Sequence, residues 1–241
     1  MPDGTLIWVT GASQGIGKAL VEAVPWPAAR VIGVSRGAGP APVHLAADLA
    51  DPGGWDVLEA SFHRELADFS GGRVVFLHAA AAIGPIGFAG ETDPDVYRAS
   101  VLLNAAAPLI VAEAFLRAGR HLRCRRQLVL FTSGAARRAY PGVAAYGAAK
   151  AAVDQWVRAA GDEQTRRGDV QILSINPGRV ATGMHEQLRG TTDDHLPDHA
   201  EFVRLDEEGL LTDPREVARK LWSLLEDQDI KSGQVLNLAD Y

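Results

Sequence analysis

Leu6-Ile7-Trp8-Val9-Thr10-Gly11-Ala12-Ser13-Gln14-Gly15-Ile16-Gly17 is the stretch that decides the fold. Residues 6–10 form a compact apolar run, long enough for a buried strand and too short for a helix. Gly11 ends the run, and beyond Gly15 the apolar positions Ile16, Ala19, Leu20 and Ala23 fall at helical spacing. The stretch therefore reads as strand, glycine turn, helix. Glycines at such a turn let the backbone approach a pyrophosphate, and the free amides and positive dipole end of the new helix favour the anion. The three-glycine spacing alone is a weak signal that a ligand-free turn would also satisfy; the strand-to-helix setting raises it.

Working outward, similar apolar runs recur at residues 31–34, 74–77, 128–131, 170–175 and 235–238. Continuous rather than alternating apolarity predicts strands buried on both faces, as in a parallel sheet covered by helices. Between them lie helix-like stretches at residues 15–24, 55–69, 101–118, 144–166 and 214–225, the last opened by an Asp213-Pro214 cap. Strands alternating with helices throughout predict one α/β domain over residues 1–241, a Rossmann-type doubly wound parallel sheet with helices on both faces. Residues 183–209 are long, polar and rich in His and Asp, so they are expected to be an irregular insertion acting as a substrate lid.

The 241 residues carry 24 Lys and Arg against 30 Asp and Glu, a formal charge of −6, which argues against nucleic acid or an anionic membrane surface as partner. One cysteine excludes a disulfide scaffold and suits a reducing compartment. No apolar run approaches the roughly 18 residues of a membrane span, and the first four residues lack the basic flank of a secretory signal. These features lead to the expectation of a soluble cytoplasmic protein.

Tyr146 and Lys150 lie four apart, on one face of the helix expected over 144–166, with Ser133 upstream. With four Tyr and four Lys in the chain, such a pair arises by chance only about 0.07 times. An ammonium beside a phenol favours the phenolate and lowers its pKa toward a useful range. The bland alternative is a Tyr and Lys on an exposed helix face.

Taken together, these motifs resemble the short-chain dehydrogenase/reductase family, in the family's order and over essentially the whole chain. By that resemblance Ser133, Tyr146, Lys150 and Asn104 are the catalytic residues. Cofactor contacts are implied for Gly11, Ser13, Gln14, Gly15, Ile16 and Gly17 in the loop, and for Asp48 and Leu49 at the adenine. Ala80, Asn104, Tyr146, Lys150, Pro177, Gly178, Val180 and Thr182 are implied for the rest of the cofactor. Where the family has Asn-Asn-Ala-Gly, this chain has His78-Ala79-Ala80-Ala81. His78 is read as a strand-end histidine with a satisfied hydrogen bond rather than a catalytic imidazole, because Tyr146 already supplies the proton.

Ser35 and Arg36 end the second strand. An acidic residue there binds a ribose hydroxyl and an arginine accommodates a 2′-phosphate, so the expected cofactor is NADP(H). The C-terminal third resembles the sepiapterin reductase and benzil reductase subgroup. Its pterin-anchoring aspartate is matched by Asn237, an amide without the charge, which favours a less polar ketone or diketone; Asn237 as a strand-end residue outside the pocket is the other reading. Tyr140, Val143, Met184, His185, Leu188 and Phe202 are the remaining candidate pocket walls.

The resemblance implies NADPH-dependent reduction of a small carbonyl substrate by a homodimer or homotetramer, with Tyr146 as general acid and Asn104 positioning a water beside Lys150. Alcohol oxidation by the same residues, and a non-catalytic NADP(H) sensor, remain open. No metal site is expected, since Pro197 breaks the helix that would align His195 with His199. Cys124 stands among Arg123, Arg125 and Arg126, which either lower its thiol pKa or are simply a basic loop. Trp8, Trp156 and Trp222 are expected to be packing residues.

Overall fold

In the computed structural model, which describes residues 4–168 and 170–241, the chain runs through fifteen named helices and strands. The N-terminal residues 1–3, part of the stretch tested above for a signal, lie outside the described residues. The order is β1 (Thr5–Thr10), α1 (Gly15–Glu22), β2 (Arg30–Ser35), β3 (Val43–Ala46), α2 (Pro52–Leu66) and β4 (Arg73–His78). Then come α3 (Pro94–Val101), a π-helical turn (Leu102–Ala106), α4 (Ala107–Ala118), β5 (Arg125–Phe131), α5 (Ala144–Arg167) and β6 (Val170–Asn176). The chain closes with α6 (Gly183–Arg189), α7 (His199–Glu207), α8 (Pro214–Leu224) and β7 (Val235–Asn237).

β1 explains why the apolar runs are continuous. Leu6 and Trp8 point into one core and Ile7 and Val9 into another, so every position is covered. The seven strands form one parallel sheet in the order β3-β2-β1-β4-β5-β6-β7. On one face Trp8 meets Phe62 of α2, Phe76 and Phe115 of α4, with ring centroids 5.1 Å apart for Trp8–Phe62 and 5.0 Å for Phe62–Phe76. On the other, Leu20 of α1 packs with Leu221 and Trp222 of α8. The sheet is thus wound on both sides, as the sequence pattern predicts. Trp8 and Trp222 are buried, their indole N–H groups donating to Ser61 Oγ and the Leu20 carbonyl, both at 3.1 Å, and Trp156 packs against the first core.

Several boundaries differ from expectation. β3 is an edge strand whose residues alternate between half-buried and exposed, so it lacks the apolar run of its neighbours. α2 starts at Pro52, capped by Asp51, whose carboxylate accepts from the Gly53 N–H at 2.7 Å. The helix expected over 101–118 begins instead at Pro94, behind an Asp93 cap, and is interrupted by the π turn. This helical stretch, Pro94–Ala118, is long and apolar enough to cross a membrane, with a mean hydropathy of 1.8 over its most apolar 18 residues. Asn104, Glu113 and Arg117 interrupt its apolar residues, so no continuous apolar run marks it in the sequence. Its Val111, Ala114 and Phe115 sit in the sheet's core, the packing of a covering helix.

Residues 183–209 are not irregular. They hold α6 and α7, laced by Arg189 with Asp206, and tied to the flanking segments by Arg179 with Glu201 and Arg138 with Asp198. Charged partners far apart in sequence disguise these helices as polar loop.

Candidate active site

The chain leaves β1 toward one face of the sheet and β4 toward the other, and the C-terminal ends of these neighbouring strands open a crevice. Gly11 turns there at φ +67°, in the left-handed region. A Cβ on Gly17 would lie 2.3 Å from the Gly11 carbonyl oxygen, so only glycine lets α1 start this close to β1. α1 has no side-chain cap at Gln14 and no acidic residue in its first turn, which leaves its positive end available to an anion. Residues 177–182 fold back over this turn, where the Thr182 methyl approaches a Cβ placed on Gly15 to 3.3 Å. A dinucleotide pyrophosphate suits this glycine cradle and uncapped helix end.

The segment replacing Asn-Asn-Ala-Gly is held from both sides. Thr10 Oγ1 accepts from the Ala80 N–H at 3.1 Å and meets His78 Nδ1 at 3.2 Å. Asn104, buried in the π turn, grips Ala82 twice: its Oδ1 accepts from the Ala82 N–H at 3.1 Å and its Nδ2 donates to the Ala82 carbonyl at 2.8 Å. The second Nδ2 proton goes to Ser100 Oγ at 3.0 Å. Both donors of the amide are therefore spent within the protein. His78 ends β4 with its Nδ1 hydrogen-bonded, as expected, while its Nε2 is buried with no partner among the described residues. Burial, reinforced by the Lys150 charge, pushes its pKa down to about 3, so the ring stays neutral.

Ser133, Tyr146 and Lys150 come together at the end of β5 and the start of α5, all lining one cavity. Ser133 Oγ accepts from the Ala135 N–H at 3.2 Å. Lys150 Nζ donates to the Phe131 carbonyl at 2.8 Å and lies 5.5 Å from the centre of the Tyr146 ring. The expected depression of the phenol is reversed here. Burial pushes Tyr146 up to about 12, against the pull of the nearby Ser133 hydroxyl. Burial likewise draws Lys150 down to about 8, opposed by the Asp154 carboxylate. Two groups removed from water both move toward their neutral forms, and the ammonium is turned to a carbonyl.

Toward the sheet edge, Arg36 is exposed just beyond β2 and makes no ion pair among the described residues. Ser35 is committed locally, donating to the Gly37 carbonyl at 2.7 Å. Asp48 is exposed and accepts from the Ala50 N–H at 3.0 Å, while Leu49 is buried and its carbonyl accepts from Trp55 Nε1 at 2.9 Å.

The cavity measures about 560 Å³ and brings together Tyr140, Val143, Met184, His185, Leu188, Phe202 and Asn237 with Ser133, Tyr146 and Lys150. Ile16, Pro177, Gly178, Val180 and Thr182 line it as well, whereas Ser35, Arg36, Asp48 and Leu49 do not. Asn237 is therefore inside the pocket rather than beyond it. Its Oδ1 accepts from the Ala239 N–H at 3.4 Å and its Nδ2 donates to Asp240 at 3.2 Å. Sequence reasoning missed Ile83, Val217 and Leu238, which belong to no motif and reach the cavity only through the fold. Elsewhere, burial raises the Cys124 thiol's pKa more than Arg126 lowers it, so the arginines do not activate it; nor are they a basic loop, since Arg125 and the buried Arg126 open β5. Of the metal-type residues near the lid, His199 Nε2 donates to the Arg189 carbonyl, 2.8 Å away, and its Nδ1 lies 3.3 Å from Asp193. No cluster of three or more such side chains occurs among the described residues.

Over residues 5–193 the chain matches the short chain dehydrogenase family, and it belongs to that family. It is an oxidoreductase of a class that binds a nicotinamide cofactor and acts on small molecules. It is similar to benzil reductase ((S)-benzoin forming) of Bacillus cereus, at 26% identity over 96% of this chain and 98% of that one. The enzyme of the same name from Bacillus subtilis (strain 168) is 27% identical, over 97% and 98%. Among solved structures, an actinorhodin polyketide ketoreductase with NADPH superposes with a TM-score of 0.79, at 23% identity over 100% of both chains.

Proposed function

We propose that the protein reduces a ketone or 1,2-diketone to the alcohol with NADPH, in a single domain whose residues 183–209 serve as the substrate lid. The observation that carries this reading is the convergence of Ser133, Tyr146 and Lys150 on the wall of an otherwise largely apolar cavity. The names of the bacterial relatives support the diketone, and the exposed, unpaired Arg36 supports a 2′-phosphate.

The loop at Gly11 to Gly17 would hold the pyrophosphate, Arg36 the 2′-phosphate, and residues 177–182 the nicotinamide end. NADPH, when bound, supplies the hydride. Ser133 would hydrogen-bond the substrate oxygen where negative charge accumulates. Tyr146, with a pKa of about 12, is a neutral phenol at working pH and so carries the proton that the developing alkoxide needs. Lys150, protonated below its pKa of about 8, stabilises the phenolate left behind, and Asn104 keeps the Ala82 segment fixed beside it. The apolar walls exclude water from the carbonyl.

The test is the initial rate of NADPH oxidation with benzil, run beside sepiapterin and with Tyr146→Phe as the comparison protein. The expected outcome is benzil turnover that drops at least about a hundredfold in Tyr146→Phe while NADPH affinity is kept. NADPH binding without turnover of either substrate would overturn the reading.

A further inference from the structure

His185 is a pocket residue whose chemistry the reduction itself leaves unused. It stands on α6, lines the cavity that Ser133 and Tyr146 share, and is 6% exposed. Around it the wall is apolar: its ring meets Phe202 edge-on at 5.9 Å and 67°, with Leu188 one turn along α6. Its Nε2 is enclosed, and neither ring nitrogen has a hydrogen-bond partner among the described residues. Buried polar atoms are nearly always paired, and an orphan in a cavity wall is a group for a ligand to satisfy.

The charged side chains that surround the ring are occupied elsewhere. Asp206 pairs with Arg189, and Arg179 pairs with Glu201. Burial lowers the ring's pKa more than Asp206 raises it, so the imidazole is neutral and keeps one N–H to donate. A neutral donor set in an apolar wall distinguishes a ligand with a second acceptor oxygen from one without. It does so because a buried donor left unpaired costs more than a lost contact.

We propose that His185 donates a hydrogen bond to the second oxygen of a 1,2-dicarbonyl substrate, and so selects diketones over simple ketones. This rests on the ketone-reductase reading above. One carbonyl oxygen lies with Ser133 and Tyr146, and its neighbour, on the adjacent carbon, faces α6. A carbon substituent in place of that oxygen leaves the imidazole unsatisfied.

The experiment compares benzil with deoxybenzoin, which keeps both phenyl rings and one carbonyl but has CH2 in place of the other. With NADPH, kcat/KM is measured on both for the wild type, His185→Leu, His185→Phe and His185→Gln. His185→Leu is expected to lower benzil turnover about tenfold and leave deoxybenzoin within about twofold, as for one lost neutral hydrogen bond. His185→Gln, which keeps an N–H, is expected to retain most of the benzil preference. Should His185→Leu no longer bind NADPH, His185→Phe, of similar volume to the imidazole, decides by the same ratio. A benzil-to-deoxybenzoin ratio that survives removal of the imidazole overturns the assignment of His185 alone. A wild type that binds NADPH and reduces neither ketone overturns the reductase reading and this inference with it.

Discussion

Gly17→Ala tests whether the contact between α1 and the turn after β1 controls cofactor affinity. A Cβ at residue 17 would stand 2.3 Å from the Gly11 carbonyl oxygen, 2.7 Å from the Gly11 carbonyl carbon and 3.1 Å from the Thr10 oxygen. All three are backbone atoms, so no side-chain rotation relieves the overlap. Real Cβ atoms stay at least 3.0 Å from such atoms, so the helix start must move away by 3.0 − 2.3 = 0.7 Å. Gly11 has little room to retreat, since its own Cβ direction is closed at 2.9 Å by the Ala80 backbone. α1 is therefore the part that shifts, carrying with it the amides that face the pyrophosphate. A misplacement near 1 Å at a binding site costs about a hundredfold, so we expect NADPH to bind roughly 30 to 100 times more weakly. Overpacking by one methyl group costs about 1–3 kcal/mol, and the melting temperature of the cofactor-free protein should fall by about 2–10 °C. Fluorescence titration with NADPH and thermal melting read the two effects separately. An alanine variant that binds NADPH within about threefold of wild type would refute the reasoning, because the clash is fixed by backbone atoms alone.

Two more substitutions probe charge. Asp154 is 2% exposed, accepts from Ser174 Oγ at 2.7 Å, and lies one turn along α5 from Lys150, whose protonated form it favours. Asp154→Asn removes that support, lowers the Lys150 pKa from about 8, and should move the alkaline limb of kcat/KM to lower pH by about one unit; an unmoved limb means Lys150 does not feel the carboxylate. Arg36→Asp should reverse the NADPH over NADH preference, a change of about a hundredfold in the ratio of kcat/KM values, and an unchanged ratio would remove Arg36 from the phosphate contact.

The sheet was legible because a strand covered on both faces must be apolar throughout, which is visible in residues 6–10 or 128–131 without knowing any neighbour. β3 was not, because an edge strand with one open side tolerates His44 and Ala46 facing water. The Asp51-Pro52 and Asp93-Pro94 caps carry the same Asp-Pro signature as Asp213-Pro214, and each marks a helix start. Tyr146 and Lys150 were legible from a spacing of four, but their protonation was not. That depends on burial and on where Nζ points, and the Phe131 carbonyl that holds it lies 19 residues back in the chain. α6 and α7 were hidden for a related reason: Arg189 meets Asp206 across 17 residues, a pairing that local composition cannot express.

The central position of β1 governs the order in which the chain can assemble. Its two edges are covered by β2 and by β4, and Thr10 meets His78 only after a gap of 68 residues. At a synthesis rate of about 5–20 residues per second, the most apolar edge of the nascent sheet stays open for roughly 3 to 14 seconds after β1 is made. Three of the seven strands, β5 to β7, can only be added to β4 later still. The same burial that makes β1 so readable therefore makes it the segment most dependent on shielding by chaperones or the ribosome until β4 arrives.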